Sequence, residues 1–384
     1  MPTYLTPGIY LEEVGYAKGP KPLLQLPPEA EETDNDRPPR RWTAEHTHTA
    51  FIGLADRGPF DEPVWLHSWS DFGVTFGNGI EGGALALAVY GFFANGGQSC
   101  VVVRTAPDYD LAIAQLDTVE DISLVCAPDL MMPGTDAEET EDVQRKLIDH
   151  CHRHGDRMAI LDCPPGLDAH EIRNWRIHAA GYDSAQAVLY YPWIKVYDWL
   201  TADNRLVPPC GHIAGVYART DLLRGFHHTP ANQQIKESIR VETLLNRHEQ
   251  DLLNPIGINA LVESPGRGTM IWGGRTLSTD PDWRYISRRR TFNFIFRSIR
   301  KGTNWAIFER PDDRTLRPRI AADIRDFLNL LWRSGALWGD TPEDAFSINY
   351  NAGPFDDPRV VHVECAVRLE HDYTNQFRLA YFCD

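Results

Sequence analysis

Ile122-Ser-Leu-Val-Cys-Ala127, the polar stretch from Glu138 to His154, and Met158-Ala-Ile-Leu-Asp162 follow one another in the middle of this chain. The two apolar runs read as strands and the stretch between them as a helix, the repeating unit of an α/β body. Working outward, His48 to Ala55, Ser99 to Thr105 and Ala187 to Val196 read as further strands, and Ala84 to Asn95 and Ala169 to Tyr182 as helices. Past a proline-rich loop at Val207-Pro-Pro-Cys-Gly211 the pattern predicts a helix from Asn232 to about Glu249 and a strand ending near Glu263. Downstream, Ile286, Phe292, Ile295, Phe296 and Ile299 recur at helical spacing within Trp283 to Lys301. Ile324, Phe327, Leu328 and Leu331 do the same within Ala321 to Arg333.

The two ends of the chain differ from this body. Val361, Val363, Cys365, Val367 and Leu369 alternate with polar residues, and Phe377, Leu379 and Tyr381 alternate again after the turn-like His371-Asp-Tyr-Thr-Asn375, so the chain closes on a hairpin and a terminal strand. Residues from Met1 to about Arg41 are rich in proline, with an acidic run from Glu29 to Asp36, and cannot form a core alone. Within that arm, Gly8-Ile-Tyr-Leu-Glu-Glu-Val14 has the composition of an edge strand. Such a strand needs a sheet to join, its own or a neighbour's.

With 384 residues, 42% of them hydrophobic and 24% charged, there is material for two or three domains. A formal net charge of -16 excludes a general nucleic-acid binder, which needs a basic footprint. The seven cysteines contain no CxxC pair and mostly sit in apolar runs, as reduced core thiols do. No basic region followed by an apolar stretch opens the chain, and no segment approaches the ~20 apolar residues that span a bilayer. We therefore expect no secretion signal, no membrane insertion, and release only inside a particle.

A search for chemistry finds weak signals. His150-Cys-His-Arg-His154, with His46 and His48, offers metal-binding side chains, but its spacing fits no common zinc pattern and suits a solvated helix end. Gly266-Arg-Gly-Thr-Met-Ile-Trp-Gly273 lacks the Gly-Lys-Ser/Thr of a phosphate loop and reads as a turn into a strand. Asp162-Cys-Pro-Pro165 ends an expected parallel strand, where active sites gather, yet has no evident partner. Arg288-Arg-Arg290 lies in an arginine-rich stretch from Arg284 to Arg325 in an otherwise acidic chain, the charge asymmetry of a partner surface; Arg37-Pro-Pro-Arg-Arg41 is a smaller patch.

Several blocks are more specific. Thr6-Pro-Gly-Ile-Tyr-Leu-Glu-Glu-Val14, Ala50-Phe-Ile-Gly-Leu-Ala-Asp-Arg-Gly-Pro59, Phe92-Phe-Ala-Asn-Gly-Gly97, Tyr191-Pro-Trp193 and Pro208-Pro-Cys-Gly-His-Ile-Ala-Gly-Val-Tyr-Ala-Arg-Thr-Asp221 stand in that order. Leu253-Asn-Pro-Ile-Gly-Ile-Asn259, Trp272-Gly-Gly-Arg-Thr-Leu277, Trp305-Ala-Ile-Phe-Glu309 and Gly335-Ala-Leu-Trp-Gly339 continue it. Together they resemble the contractile tail sheath proteins over nearly the whole chain. The chain departs from that pattern at Gly274, where alanine is frequent, and in an insert from Pro22 to Arg41.

The resemblance implies a structural subunit and no enzyme or cofactor: a layered α/β body, with α+β character, whose extended N- and C-terminal arms complete a sheet in neighbouring subunits. Residues 1–41 would be the arm, 42–260 an outer body and 261–384 a tube-facing domain. Its partners would be further copies of itself in stacked hexameric rings, an inner tube protein, and baseplate and terminal cap proteins. Assembly would take place in a bacterial cytoplasm, for a phage tail or a phage-tail-like particle that acts outside the cell. Gly8, Ile9, Tyr10, Leu11, Glu12, Glu13 and Val14 are the candidate donated strand, with Phe377, Leu379 and Tyr381 as the C-terminal strand. Arg288, Arg289, Arg290, Arg319, Arg325 and Arg333 are the candidate contacts to the tube or the next ring. The alternatives are a hydrolase working at Asp162, a metal-dependent enzyme using His150, His152 and His154, and an inner tube protein, which the length and the helices disfavour. The shortness of the chain leans towards a non-phage injection system.

Overall fold

The computed structural model describes residues 7–18, 48–105, 108–132, 134–350, 359–371 and 373–383. The Pro22–Arg41 insert with its acidic run and basic patch, and His46, lie outside the described residues. In chain order, β1 (Gly8–Lys18) precedes β2 (His48–Gly53), β3 (Val64–Leu66), α1 (Trp69–Phe76), α2 (Leu85–Ala94), β4 (Cys100–Arg104), α3 (Tyr109–Gln115), β5 (Ile122–Cys126), α4 (Ala137–His154), β6 (Met158–Asp162), α5 (Ala169–Trp175), β7 (Ala187–Tyr191), β8 (Ile194–Asp198), β9 (Asp203–Val207) and α6 (Cys210–Arg224). The remainder runs β10 (Arg240–Val241), α7 (Arg247–Leu253), β11 (Ile258–Ser264), β12 (Gly268–Trp272), α8 (Ile286–Thr303), α9 (Leu316–Arg333), α10 (Pro342–Ala345), β13 (Phe346–Asn349), β14 (Val360–Glu370) and β15 (Tyr373–Phe382).

These elements form two compact units, one of Glu45–Arg290 and one combining Met1–Ala44 with Thr291–Asp384. In the larger unit an eight-stranded sheet has the order β12-β11-β7-β6-β5-β2-β4-β3. Its centre is parallel, from β4 through β2, β5, β6 and β7 to β11, and β3 and β12 close the two sides in antiparallel pairs. Strands such as Cys100-Val-Val-Val and Met158-Ala-Ile-Leu are apolar on both faces because helices cover both. Phe51, Val102, Ile160 and Tyr190 pack with Phe72, Phe92 and Tyr217 from α1, α2 and α6, and Ile52, Val103, Leu161 and Leu189 pack with Ile113, Leu147 and Ile172 from α3, α4 and α5. Asp136 caps α4 by accepting from the amides of Glu138 and Glu139, and Asp168 and Glu171 form a capping box on α5. This unit extends past residue 260 because β11 pairs with β7 on one side and with β12 on the other.

Four local expectations change. The run Ala187 to Val196 is two strands: it breaks at Pro192, which has no N–H for a ladder, and β8 enters a separate three-stranded sheet, β10-β8-β9. The helix expected to Tyr182 stays regular only to Trp175 and finishes as a wider π turn over Arg176–Ala180. The helix expected from Asn232 to Glu249 is instead an extended segment. Asn232 N–H donates to Ile271 O (2.8 Å), Ile235 N–H to Thr269 O (2.9 Å) and Ile239 N–H to Lys195 O (2.8 Å), so strands β12 and β8 of two sheets supply its backbone partners, and helix begins only at Arg247. Conversely, the loop expected at Gly211 is the first turn of α6. A Cβ on Gly211 would lie 2.4 Å from Ala88 O, and one on Gly215 2.3 Å from Phe92 O, so the two glycines let α6 cross α2 at backbone contact.

Candidate functional site

The two ends of the chain meet in one antiparallel sheet with the order β1-β15-β14-β13. Alternation along β14 and β15 gives each a face that needs cover, and helices of the same unit provide it. The Phe377 ring stands edge-on to Phe292 with centroids 5.3 Å apart, and the Tyr381 hydroxyl lies 3.0 Å from Thr303 Oγ1. Burial pushes the Tyr381 phenol up, so this hydroxyl stays neutral.

β1 lies on the edge of this sheet. Its ladder with β15 runs from Gly8 opposite Phe382 to Lys18 opposite Tyr373, with an irregularity between Glu13 and Gly15. Ile9, Leu11 and Glu13 fall opposite Tyr381, Leu379 and Phe377, while Tyr10 and Glu12 fall opposite Ala380 and Arg378. Glu364 of β14 shares that second parity and also faces Arg378. Arg378 Nη2 is 2.6 Å from Glu364 Oε1, and Arg378 Nη1 is 3.3 Å from Glu12 Oε2. One guanidinium therefore bridges three strands, and a one-residue slip of β1 would turn Glu12 to the other face. The hydrogen bonds it donates to Glu364 hold Arg378 firmly protonated. Beside them on β14, burial lowers the basicity of His362. β1 itself is only half-covered from Gly8 to Glu12, and Val14 is 51% exposed.

Sequence reasoning selected Gly8–Val14 and Phe377, Leu379 and Tyr381, and the fold brings them into one ladder. It named the strands that carry Arg378, Glu364 and His362 but did not single out these side chains. Their signal is the shared parity of Glu12, Arg378 and Glu364, which has meaning only once the register is known.

The six candidate arginines separate. Arg290 is buried, pairs with both carboxylate oxygens of Asp221 at 2.7 and 2.5 Å, and stacks on Tyr217; Arg289 is buried over the Trp283 ring and donates to Gly155 O. These two hold the larger unit together and are out of a neighbour's reach. Arg288 is half-buried beside Tyr285. On α9, Arg319 stacks on Trp305 and lies 3.6 Å from Glu309, Arg325 is half-buried, and Arg333 is exposed.

The remaining chemical candidates resolve as structure. Asp117 lies 3.1 Å from His150 Nδ1 and 2.7 Å from His154 Nε2, the spacing of a metal cluster. However, Arg157 Nη1 donates to His150 Nε2 at 2.8 Å, which places the proton of the neutral ring on Nδ1, facing Asp117, and leaves no lone pair there for a cation. Burial, then the Arg157 charge, hold His150 down at about 3. His152 is exposed, and His48 bonds Ser99 instead. Asp162 is buried and accepts from the Cys210 amide at the start of α6 (3.0 Å), and burial pushes its carboxyl up to about 7. It fastens a helix end. Gly266 and Gly268 sit at positive φ in the β11–β12 turn.

Comparison with known proteins covers most of the chain. Residues 103–277 match the phage tail sheath protein central domain, and residues 278–381 match the phage tail sheath C-terminal domain. The tail sheath protein of Burkholderia phage BcepMu is 31% identical over 199 residues, which are 47% of this chain and 41% of that protein. The match thus spans less than half the length of that relative. A chain in the cryo-EM structure of the anti-feeding prophage (AFP) baseplate, 6-fold symmetrised, superposes with a TM-score of 0.73 at 25% identity, covering 91% of this chain and 96% of that one. A chain in the PVC sheath complex of an extracellular contractile injection system, in its contracted state, superposes with a TM-score of 0.71 at 26% identity, covering 97% and 96%.

Proposed function

The chain belongs to the phage tail sheath family, and on that premise we propose that it is a structural subunit of a contractile sheath, with no chemistry of its own. The observation that carries this reading is the terminal sheet, in which an edge strand from one end of the chain forms its ladder with the strand from the other end. In an assembly, β1 of one copy occupies the same place beside β15 of the next. Every ladder hydrogen bond and the Glu12–Arg378 pair are then exchanged one for one, so the swap costs little beyond loop entropy and is driven by local concentration. The arm remains attached through its strand while the bodies move, and rings can slide and rotate without separating.

In this reading residues 45–290 form the outer body, and residues 291–384 with the N-terminal arm form the part nearer the tube. Subunits stack as hexameric rings around an inner tube and end at a baseplate and a cap. Of the six, Arg288, Arg319, Arg325 and Arg333 remain candidates for contact with the tube or the next ring, since none of them is fully buried. The sheath assembles extended in a bacterial cytoplasm and shortens between two rigid-body arrangements, driving the tube outward without hydrolysing nucleotide. A resemblance to the sheath of an extracellular injection system favours a particle that acts after release.

Negative-stain electron microscopy of the concentrated chain, with and without residues 1–14, tests the proposal. Striated tubes from the full chain and dispersed, folded monomers from the truncation are expected. Normal tubes from the truncation would overturn strand exchange, and a full chain that stays monomeric even with its tube protein would overturn the sheath reading.

A further inference from the structure

The larger unit carries two adjoining clefts that share Pro255 and Arg275 as walls, with volumes of about 820 and 490 Å³. The first is lined by Val262 and by two side chains left open to solvent, Leu244 (72% exposed) and Trp272 (51%). The second has an excess of positive charge: Arg176 and Arg284 line it beside the shared Arg275, against the one carboxylate of Asp183, which accepts from Thr279. Arg176 is 93% buried; its Nη2 donates to Tyr182 O and Leu277 O while its Nε has no hydrogen-bond partner, and the guanidinium groups of Arg275 and Arg284 make no hydrogen bond or ion pair among the described residues. A polar donor buried without a partner is costly, and three guanidiniums along one cleft ask for an anion. Neither cleft has a role in the strand exchange above.

The insert that sets this chain apart has the complementary order of residues. Leu23, Leu24 and Leu26 come first, then Pro27-Pro28, then five carboxylates at Glu29, Glu31, Glu32, Asp34 and Asp36. Leu23 follows Lys18, the last residue of β1, by five residues, at most about 17 Å of extended chain. A donated β1 therefore carries the insert across with it. We infer that residues 23–36 of one copy dock on the larger unit of an adjacent copy, the leucines against Leu244 and Trp272 and the carboxylates against Arg275, Arg284 and Arg176. The choice of an adjacent copy rests on the strand-exchange reading. The docked insert is a second, electrostatic tether beside the swapped strand, and it weakens as salt rises.

A synthetic peptide of residues 23–36 titrated calorimetrically into the dilute, unassembled full chain tests this. Saturable binding at one peptide per chain is expected. It should weaken about tenfold or more when Glu29, Glu31 and Glu32 of the peptide become Gln, or when the protein carries Arg275→Glu with Arg284→Glu, and stay unchanged with Arg310→Glu, an exposed arginine outside the clefts. The peptide variant leaves the protein's fold untouched. No binding at millimolar peptide, as when a chain's own insert fills the clefts, or binding indifferent to these charges would overturn the inference. Because no tube is formed, this result is separable from success or failure of the sheath reading.

Discussion

The eight-stranded sheet of residues 45–290 and the four-stranded terminal sheet are both well-packed layers, but they are closed in different ways. In the first, parallel strands are buried on both faces and all ladder partners come from one continuous stretch. In the second, the edge strand arrives from the far end of the chain, and its ion pair with Arg378 joins residues 366 positions apart. A sheet closed within a continuous stretch makes a rigid body. One closed by a distant, half-exposed strand offers the same edge to another copy of that strand, and on the strand-exchange proposal it acts as a joint.

The strongest way to break this comparison is through the cores. Phe92→Ala removes a ring buried against Phe51, and Phe377→Ala one buried against Phe292. Each should cost about 3–5 kcal/mol of stability. Chemical unfolding followed by hydrogen exchange should show the first loss confined to 45–290 and the second to the terminal unit, and joint unfolding in both variants would refute their independence.

A somewhat smaller effect comes from pH. The buried Asp162 has its pKa raised to about 7 from 3.8, so the folded chain holds a proton that the unfolded chain releases. Its contribution is present below pH 4 and is lost as pH rises through 7, a difference of up to about 4 kcal/mol. Asp162→Asn should therefore lose less stability than the parent between pH 5 and pH 8, read from unfolding midpoints of the larger unit. An identical decline in both would place the ionised carboxylate comfortably at the start of α6. The smallest effect sharpens the joint. Glu12→Gln removes one half-exposed charge pair, worth about 0.5–1 kcal/mol, and should speed amide exchange in β1 while β6 is unchanged.

Much of this was legible in the residues. β6 was bounded to the residue, because a short apolar run ending in a polar residue has few other readings. The amphipathic helices α4 and α9 and the terminal hairpin were visible from their periods. The edge strand β1 was visible as a segment, Gly8 to Val14, too polar and proline-flanked to stand alone. α6 escaped because it is buried all round, so no apolar stripe stands out, and its glycines read as loop when they serve a close helix crossing. Residues 232–246 were misread as helix because their backbone partners lie on strands β12 and β8, remote in sequence.

Sequence by itself determined the layered α/β class, the strand-like ends and the absence of any recognised catalytic motif, since these depend on local period and residue type. Only the tertiary structure decided that Arg289 and Arg290 are internal, that Glu12, Arg378 and Glu364 form one bridge, and that Arg176, Arg275 and Arg284 share a cleft. Those facts depend on register and on which surfaces meet, and neither is written in the spacing of residues along one strand or helix.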